Sequence, residues 1–379
     1  MSAQPPDILT PSRNSSFYKP ELDVLRFFAF LSVFLFHSAY HPAEYFSQRG
    51  IPAWLAQSLS GAIGSGSHGV DLFFVLSAYL ITELLLREKD AMGSLDVKSF
   101  YLRRILRIWP LYFFFVLLAA FVPYLNPQGA FSLKYVIPFL LLAGNWSTIV
   151  FGPTGSVAEP LWSVSVEEQF YLAWPPIVAL LPRRGIAIAA LIMVGAANLT
   201  RVVLLVKHST GWQIWANTFT HLDAMAGGLL LAVLLRDRVF KIDLWLRLLL
   251  ITTGAAAIAS VGYVDELHSG VSRISVLAGY PVIALSCTAI VFAVIGLQLQ
   301  VRSLQYLGKI SYGLYVYHLT CIRIIDKILF AHWGLLGIVL RSVVALGLTS
   351  LVAAISYRFL EAPFLKLKRR FTYVQSRPV

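Results

Sequence analysis

Two stretches of the chain, Ile186–Val206 and Val276–Leu297, run with at most one charged residue each, for about the twenty residues that carry a helix across a hydrocarbon core of roughly 30 Å. In lipid every backbone N–H and C=O needs a partner within the protein, which leaves the α-helix as the form open to such a run. Similar runs fall at 22–40, 70–86, 109–125, 134–150, 168–182, 222–236, 245–263, 311–331 and 335–359. Only 13% of the residues are charged, against roughly a quarter in a soluble domain. The loops between runs are too short to hold a soluble domain of any size. The expected fold class is all-α, a polytopic integral membrane helical bundle. It comprises a polar segment 1–20, a transmembrane domain 21–365 and a basic tail 366–379.

The formal charge of +12 invites a nucleic-acid partner, but the cations stand at the ends of apolar runs. The preference of Lys and Arg for the cytoplasmic face accounts for them, and no nucleic acid is expected. Arg87, Lys89, Lys98, Arg103, Arg104 and Arg107 mark one cytoplasmic loop. Arg183 and Arg184, then Arg236, Arg238 and Lys241, then Arg302 and Lys309 mark others, and Lys366, Lys368, Arg369 and Arg370 mark the tail. Between Arg107 and Arg183 the chain has to leave and return, yet three candidate runs lie there. Either 134–150, with Pro138, Gly144 and Asn145, or the start of 159–182, with Glu167 and Glu168, is expected to dip in without spanning. About ten spans with both termini cytoplasmic satisfy the charges. Met1–Pro20 carries no cleavage pattern, so the first run reads as a permanent span. Cys287 and Cys321 lie within apolar runs and suggest neither a disulfide framework nor a metal site. No zinc spacing, phosphate-binding glycine loop or nucleophile elbow is present, so no metal is expected. His208, His268 and His332 lie near loops and receive no role.

Ionisable residues inside spans are costly and mark function. Arg26 and His37 are eleven residues apart in the first run, three turns plus about 20°, so they share one helix face with a separation of about 16 Å. The arginine can hold a phosphate, and the histidine, deeper in, can deprotonate a hydroxyl. Equally, Arg26 can snorkel to the headgroups with His37 an interfacial side chain. Arg103, Arg104 and Arg107 fall within an arc of about 100°, a face able to grip a polyphosphate or simply a basic flank. Glu167 and Glu168 open an apolar run after Trp162. They can orient and charge-balance a catalytic histidine, but adjacent helical residues point about 100° apart, so one of the two is expected to face the site. Both can also sit in an aqueous loop. Asp71 begins the second run as a helix-start acid. Ser77, Trp162, Tyr171, Tyr315 and His318 join Asp71 as candidate cavity-lining residues, the last two within the polar stretch Ser311–His318. Gly227-Gly228, after His221 and Asp223, permits close helix packing. Glu361 is placed to pair with an arginine.

Taken together, these segments resemble the acyltransferase 3 family of bacterial membrane acyltransferases. Arg26 and His37 match its Arg-x10-His pattern, and Gly69–Thr82, Phe100–Tyr112, Leu161–Pro175, Ser311–His318 and Ser356–Pro363 look like its other signature stretches, in order from about Leu22 to Pro363. Ala78 stands where the family often has glycine, and His221 where arginine or lysine is common. The resemblance implies that His37 is the catalytic histidine, that Arg26 helps position the donor, and that Arg104 and Arg107, with Arg103 beside them, belong to the donor-binding region. It further implies a bacterial plasma (inner) membrane location and transfer of an acyl group, usually acetyl, from acyl-CoA to a hydroxyl of a carbohydrate or glycosylated metabolite. Acetyl-CoA is then a co-substrate rather than a bound cofactor, and the bilayer, the donor and the acceptor are the expected partners. In this scheme His37 is general base, with Glu167 or Glu168 orienting it. A transporter or flippase of lipid-linked sugars also needs many spans and a polar cavity, but such proteins often show internal repeats that this chain lacks. A catalytically dead acceptor-holding partner is the third reading.

Overall fold

In the computed structural model the described residues are 17–122, 131–236, 241–268, 272–297, 299–328 and 334–372. Most of the polar segment 1–20, the end of the tail, Arg238 and His332 lie outside them. Helix α1, Pro20–Ala39, starts on a proline, carries Glu21 and Asp23 in its first turn and has His37 in its last, an order that suits the helix dipole at both ends. Short α2, Ala43–Ser47, and α3, Ala53–Gly64, lead through a 3₁₀ turn, Ser65–His68, into α4, Gly69–Met92. Gly93, at φ +72°, ends α4. Helix α5, Val97–Phe121, is capped by Asp96, whose carboxylate accepts from the Ser99 N–H at 2.9 Å.

The two segments competing for one crossing are resolved. Residues 134–150 form α6, Leu133–Leu140, and α7, Gly144–Phe151, broken at Leu142, whose φ is +57°. Each is about 12 Å long by helical rise, too short to span. Residues 161–180 instead form one continuous helix, α8, Leu161–Leu180. The chain continues as α9, Arg183–Val206; α10, Gly211–Trp215; α11, Leu222–Leu235; α12, Leu244–Leu267; α13, Tyr280–Val294; α14, Arg302–Lys309; and α15, Ser311–Ile328. Helix α16, Gly334–Ser356, runs through a π-turn, Tyr357–Glu361, into α17, Ala362–Lys368. No strand occurs among the described residues.

Eight helical stretches among the described residues are long and apolar enough to cross a bilayer, and α8 and α15 are not among them. Those two carry Glu167 and Glu168, and Arg323, Asp326 and Lys327: Glu167, Glu168 and Arg323 turn to the bundle interior, while Asp326 and Lys327 are exposed in the last turn of α15. The rim is apolar. Helices α9 and α12 expose Ile188, Leu191, Ile192 and Leu199, and Trp245, Leu248 and Leu249, as lipid-facing helices do. The centre is formed by α1, α4, α8, α11 and α15. Gly228 lets α11 lie directly on α4: a Cβ there would sit 2.3 Å from the Val75 carbonyl oxygen. Two basic residues plug helix ends rather than facing water. Lys89 donates to the carbonyls of Val178, Ala179 and Leu181 at 2.8–3.0 Å, closing the last turn of α8. Arg247 donates to Ala293 O at 2.5 Å and Ile295 O at 2.8 Å, closing α13.

Candidate active site

His37 projects from the last turn of α1, and α15 brings His318 against it, ring centroids 4.9 Å apart. The Nδ1 of His318 lies 2.5 Å from the Tyr315 carbonyl. A carbonyl only accepts, so in the neutral ring Nδ1 holds the proton and Nε2 the lone pair. That Nε2 faces His37 Nδ1 at 3.2 Å, and His37 Nδ1 also lies 3.0 Å from the Val33 carbonyl. Both neighbours of His37 Nδ1 are acceptors, which assigns its proton there and leaves the lone pair on Nε2. His37 Nε2 makes no hydrogen bond among the described residues, and the ring lines a chamber. Trp162, Trp212, Trp215, Glu159, Asp265 and Arg323 share that chamber. An imidazole whose Nδ1–H is held and whose Nε2 is open is arranged as a general base or a nucleophile. The expectation that Glu167 or Glu168 orients His37 is not met; a backbone carbonyl and His318 do so. His318, expected to line the cavity, is fully buried one layer behind His37.

A second, tighter chamber opens beside the first. Arg26, Arg104 and Arg107 line it, with Ser77, Glu167 and Tyr171. Arg26 donates to Asp23 at 3.0 Å. Arg104 lies over the rings of Phe100 and Tyr171, 5.3 and 5.4 Å from their centroids, and its Nε is buried without a partner. Arg107 forms no hydrogen bond or ion pair among the described residues. Two guanidiniums thus face one cavity without a carboxylate of their own, the arrangement expected for an anionic ligand. Arg103 is not part of it. Its guanidinium bonds Glu88 at 2.7 Å and the Phe371 carbonyl at 2.8 Å, which ties the turn after α17 to α5. The tail also carries Lys368 within electrostatic reach of Arg26, Arg103, Arg104 and Arg107.

The adjacent carboxylates diverge as the helical turn requires. Glu167 faces the arginine chamber and accepts from the Tyr171 hydroxyl at 3.1 Å, while Tyr171 in turn bonds Ser77. Glu168 turns away, accepting from Trp109 Nε1 at 2.9 Å, with its other oxygen buried without a partner. Val70 and Tyr315 line both chambers and so form the partition between them. The Tyr315 hydroxyl is fixed by Ser163 at 2.7 Å and the Pro160 carbonyl at 3.1 Å. Asp71 does not line either chamber, contrary to expectation. It is buried behind the wall, between His68 at 2.9 Å and His221 at 2.7 Å. Among the described residues no three metal-ligating side chains converge, and both cysteines are buried free thiols.

The sequence from residue 19 to residue 358 matches the profile of the acyltransferase 3 domain, described as an acyltransferase domain. The chain belongs to the acyltransferase 3 family. The O-acetyltransferase OatA of Staphylococcus aureus is 28% identical over 373 residues, which cover 92% of this chain and 57% of that protein. The peptidoglycan O-acetyltransferase OatA of Listeria monocytogenes is 25% identical over 380 residues, 94% of this chain and 57% of its own. The putative peptidoglycan O-acetyltransferase YrhL of Bacillus subtilis is 28% identical over 378 residues, 91% of this chain and 55% of its own. The chain therefore spans a little over half the length of these relatives. No solved structure matches it.

Within this acyltransferase 3 domain sequence reasoning missed some site residues and, for others that it named, the partners that packing gives them. His318 meets His37 across 281 positions, a distance no local pattern spans. His68 and Arg323 line the histidine chamber without belonging to any motif-like spacing. Lys368 reads as one more basic residue of the tail until α17 folds back onto α5. The one available signal was the polar stretch Ser311–His318 in an otherwise apolar run.

Proposed function

We propose that this chain is a membrane O-acyltransferase that moves an acyl group, acetyl, from acyl-CoA to a carbohydrate hydroxyl. The observation that carries it is the pair of chambers meeting at Val70 and Tyr315, one with Arg104 and Arg107, which form no ion pair among the described residues, the other with an imidazole whose lone pair is open. The donor's phosphates rest against Arg26, Arg104 and Arg107, and its thioester reaches past Tyr315 towards His37. The acceptor lies in the histidine chamber. Its hydroxyl gives its proton to His37 Nε2 as oxygen bonds the acyl carbon. The same proton passes to the departing thiolate as the carbon–sulfur bond breaks. Three tryptophan faces with Glu159 and Asp265 at the same chamber suit a sugar, which offers apolar faces and hydroxyl edges. The relatives named for peptidoglycan support that acceptor class. In this reading the donor enters from the cytoplasm, the protein sits in the bacterial inner membrane, and both termini are cytoplasmic.

The test uses detergent-purified protein and His37→Ala, with acetyl-CoA and a tetrasaccharide of N-acetylglucosamine and N-acetylmuramic acid. Wild-type protein is expected to release coenzyme A thiol and leave an acetyl ester on the sugar. The variant is expected to bind coenzyme A and to keep only a small residual transfer. Full transfer by a folded His37→Ala protein overturns the role of His37, and absence of coenzyme A binding by the wild type moves the reading to a transporter.

A further inference from the structure

The histidine chamber contains a second open imidazole. His68 lines it, at the end of the 3₁₀ turn before α4. Its Nδ1 lies 2.9 Å from Asp71 Oδ2. A carboxylate accepts, so the ring proton belongs on Nδ1 and the lone pair on Nε2. No group among the described residues bonds that Nε2. The ring is held by more than one contact: Trp215 meets it edge-on at 5.1 Å and Tyr280 at 6.3 Å. Asp71 is held in turn by His221 Nδ1 at 2.7 Å, and the other nitrogen of His221 lies 2.7 Å from the Trp215 carbonyl. This chain of buried groups fixes the direction of one unpartnered acceptor, as outer-shell partners do for functional imidazoles.

The turn carrying His68 is stapled to α1. Ser32 Oγ donates to the Gly66 carbonyl at 2.7 Å, and a Cβ on Gly66 or Gly69 would strike the Ser32 or Ala29 carbonyl at 2.5 or 2.4 Å. Ser32 precedes His37 by five residues, about 7.5 Å along the helix. The two open imidazoles therefore belong to one chamber with a rigid spacing between them. A buried His–Asp pair serving stability alone needs neither a face on the cavity nor an open nitrogen.

We propose that His68 positions the acceptor: its Nε2 accepts a hydrogen bond from a second donor group of the sugar, a hydroxyl or amide N–H near the attacked oxygen, and so turns that oxygen towards His37. The proposal rests on the acyltransferase reading for its consequence, though not for its binding test. It makes His68 a specificity device that favours polyhydroxylated acceptors over simple alcohols.

Binding of the tetrasaccharide is read from tryptophan fluorescence, since Trp162, Trp212 and Trp215 line the chamber. His68→Ala is expected to weaken it about tenfold, the effect of one lost hydrogen bond. His68→Gln, whose amide oxygen can accept the same bond, is expected to recover most of it. In transfer assays His68→Ala raises KM for the tetrasaccharide more than it lowers kcat, and leaves transfer to 1-butanol, which has no second donor, unchanged. Unaltered tetrasaccharide binding in His68→Ala overturns the proposal, as does equal loss with 1-butanol, which marks a structural role. A wild-type protein that binds the sugar through His68 but transfers nothing overturns the acyltransferase reading alone. One that neither binds nor acetylates the sugar overturns both.

Discussion

Arg103 and Arg107 lie one turn apart on α5 and look interchangeable in sequence, yet they should fail in opposite ways. Arg107 lines the arginine chamber without an acceptor among the described residues and in reach of a second cation, Arg26. Removing it breaks no hydrogen bond or ion pair among the described residues; the repulsion from Arg26 that it relieves is set against the lost attraction to Glu167 and to buried Glu361, so Arg107→Ala should leave Tm nearly unchanged. What it loses is a charged hydrogen bond to the donor's phosphates, about 1.5–3 kcal/mol, or roughly ten- to 150-fold in Kd for coenzyme A. Arg103 is paired with Glu88 at 2.7 Å, the two side chains 11% and 3% exposed. Arg103→Ala strands that carboxylate and frees the Phe371 carbonyl, a loss of about 3–5 kcal/mol of stability, while coenzyme A affinity at a temperature where the protein is folded should hold. Calorimetric titration of coenzyme A and thermal unfolding in the same detergent measure both quantities. If Arg103→Ala loses affinity as steeply as Arg107→Ala and keeps its Tm, the division of the basic cluster into one structural and two ligand-facing arginines is refuted.

His318→Ala should lower kcat about tenfold, the worth of one hydrogen bond on His37, and leave coenzyme A affinity alone. Because His318 acts only through His37, adding His318→Ala to His37→Ala should cost nothing further, and an additive loss in the double variant argues against that relay. Gly228→Leu places a side chain into the α4 backbone at Val75 and should abolish the folded fraction, read as a monodisperse peak in size-exclusion chromatography. Lys89→Met strips three carbonyls of their donor. It should lower Tm by several degrees without changing KM for either substrate, measured by thermal unfolding and steady-state kinetics.

Hydropathy made the spans legible because a lipid-facing helix such as α9 has to be apolar on its exposed side, and nothing else in the fold overrides that demand. It was a poorer guide to α8 and α15, where Glu168 and His318 are buried in the bundle rather than placed in a loop. The 100° turn between Glu167 and Glu168 correctly separated their directions, since the local helix alone decides it. The same arithmetic placed Arg103 with Arg104 and Arg107, and there it fell short. Arg103 is diverted by Glu88 and Phe371, partners supplied by packing and by the far end of the chain. Asp71 read as a helix-start acid with a place on the cavity wall; the two histidines that draw it inward come from the preceding turn and from 150 positions away.

The broken hairpin of α6 and α7 carries a consequence for biosynthesis. Its loose backbone groups are satisfied from both directions along the chain. Tyr112, made earlier, donates to the Phe139 carbonyl at 2.8 Å. Gln169, made later, donates to the Leu142 carbonyl at 3.2 Å, and Ser165 accepts from Gly144 N–H at 3.2 Å. Asn145 waits still longer, for the Ala216 carbonyl and the Thr218 hydroxyl. When the hairpin first emerges, Tyr112 is the only one of these partners already made. The others arrive with α8 and with residues 216–218, so the hairpin is expected to complete its contacts in the bundle out of the order in which it was translated.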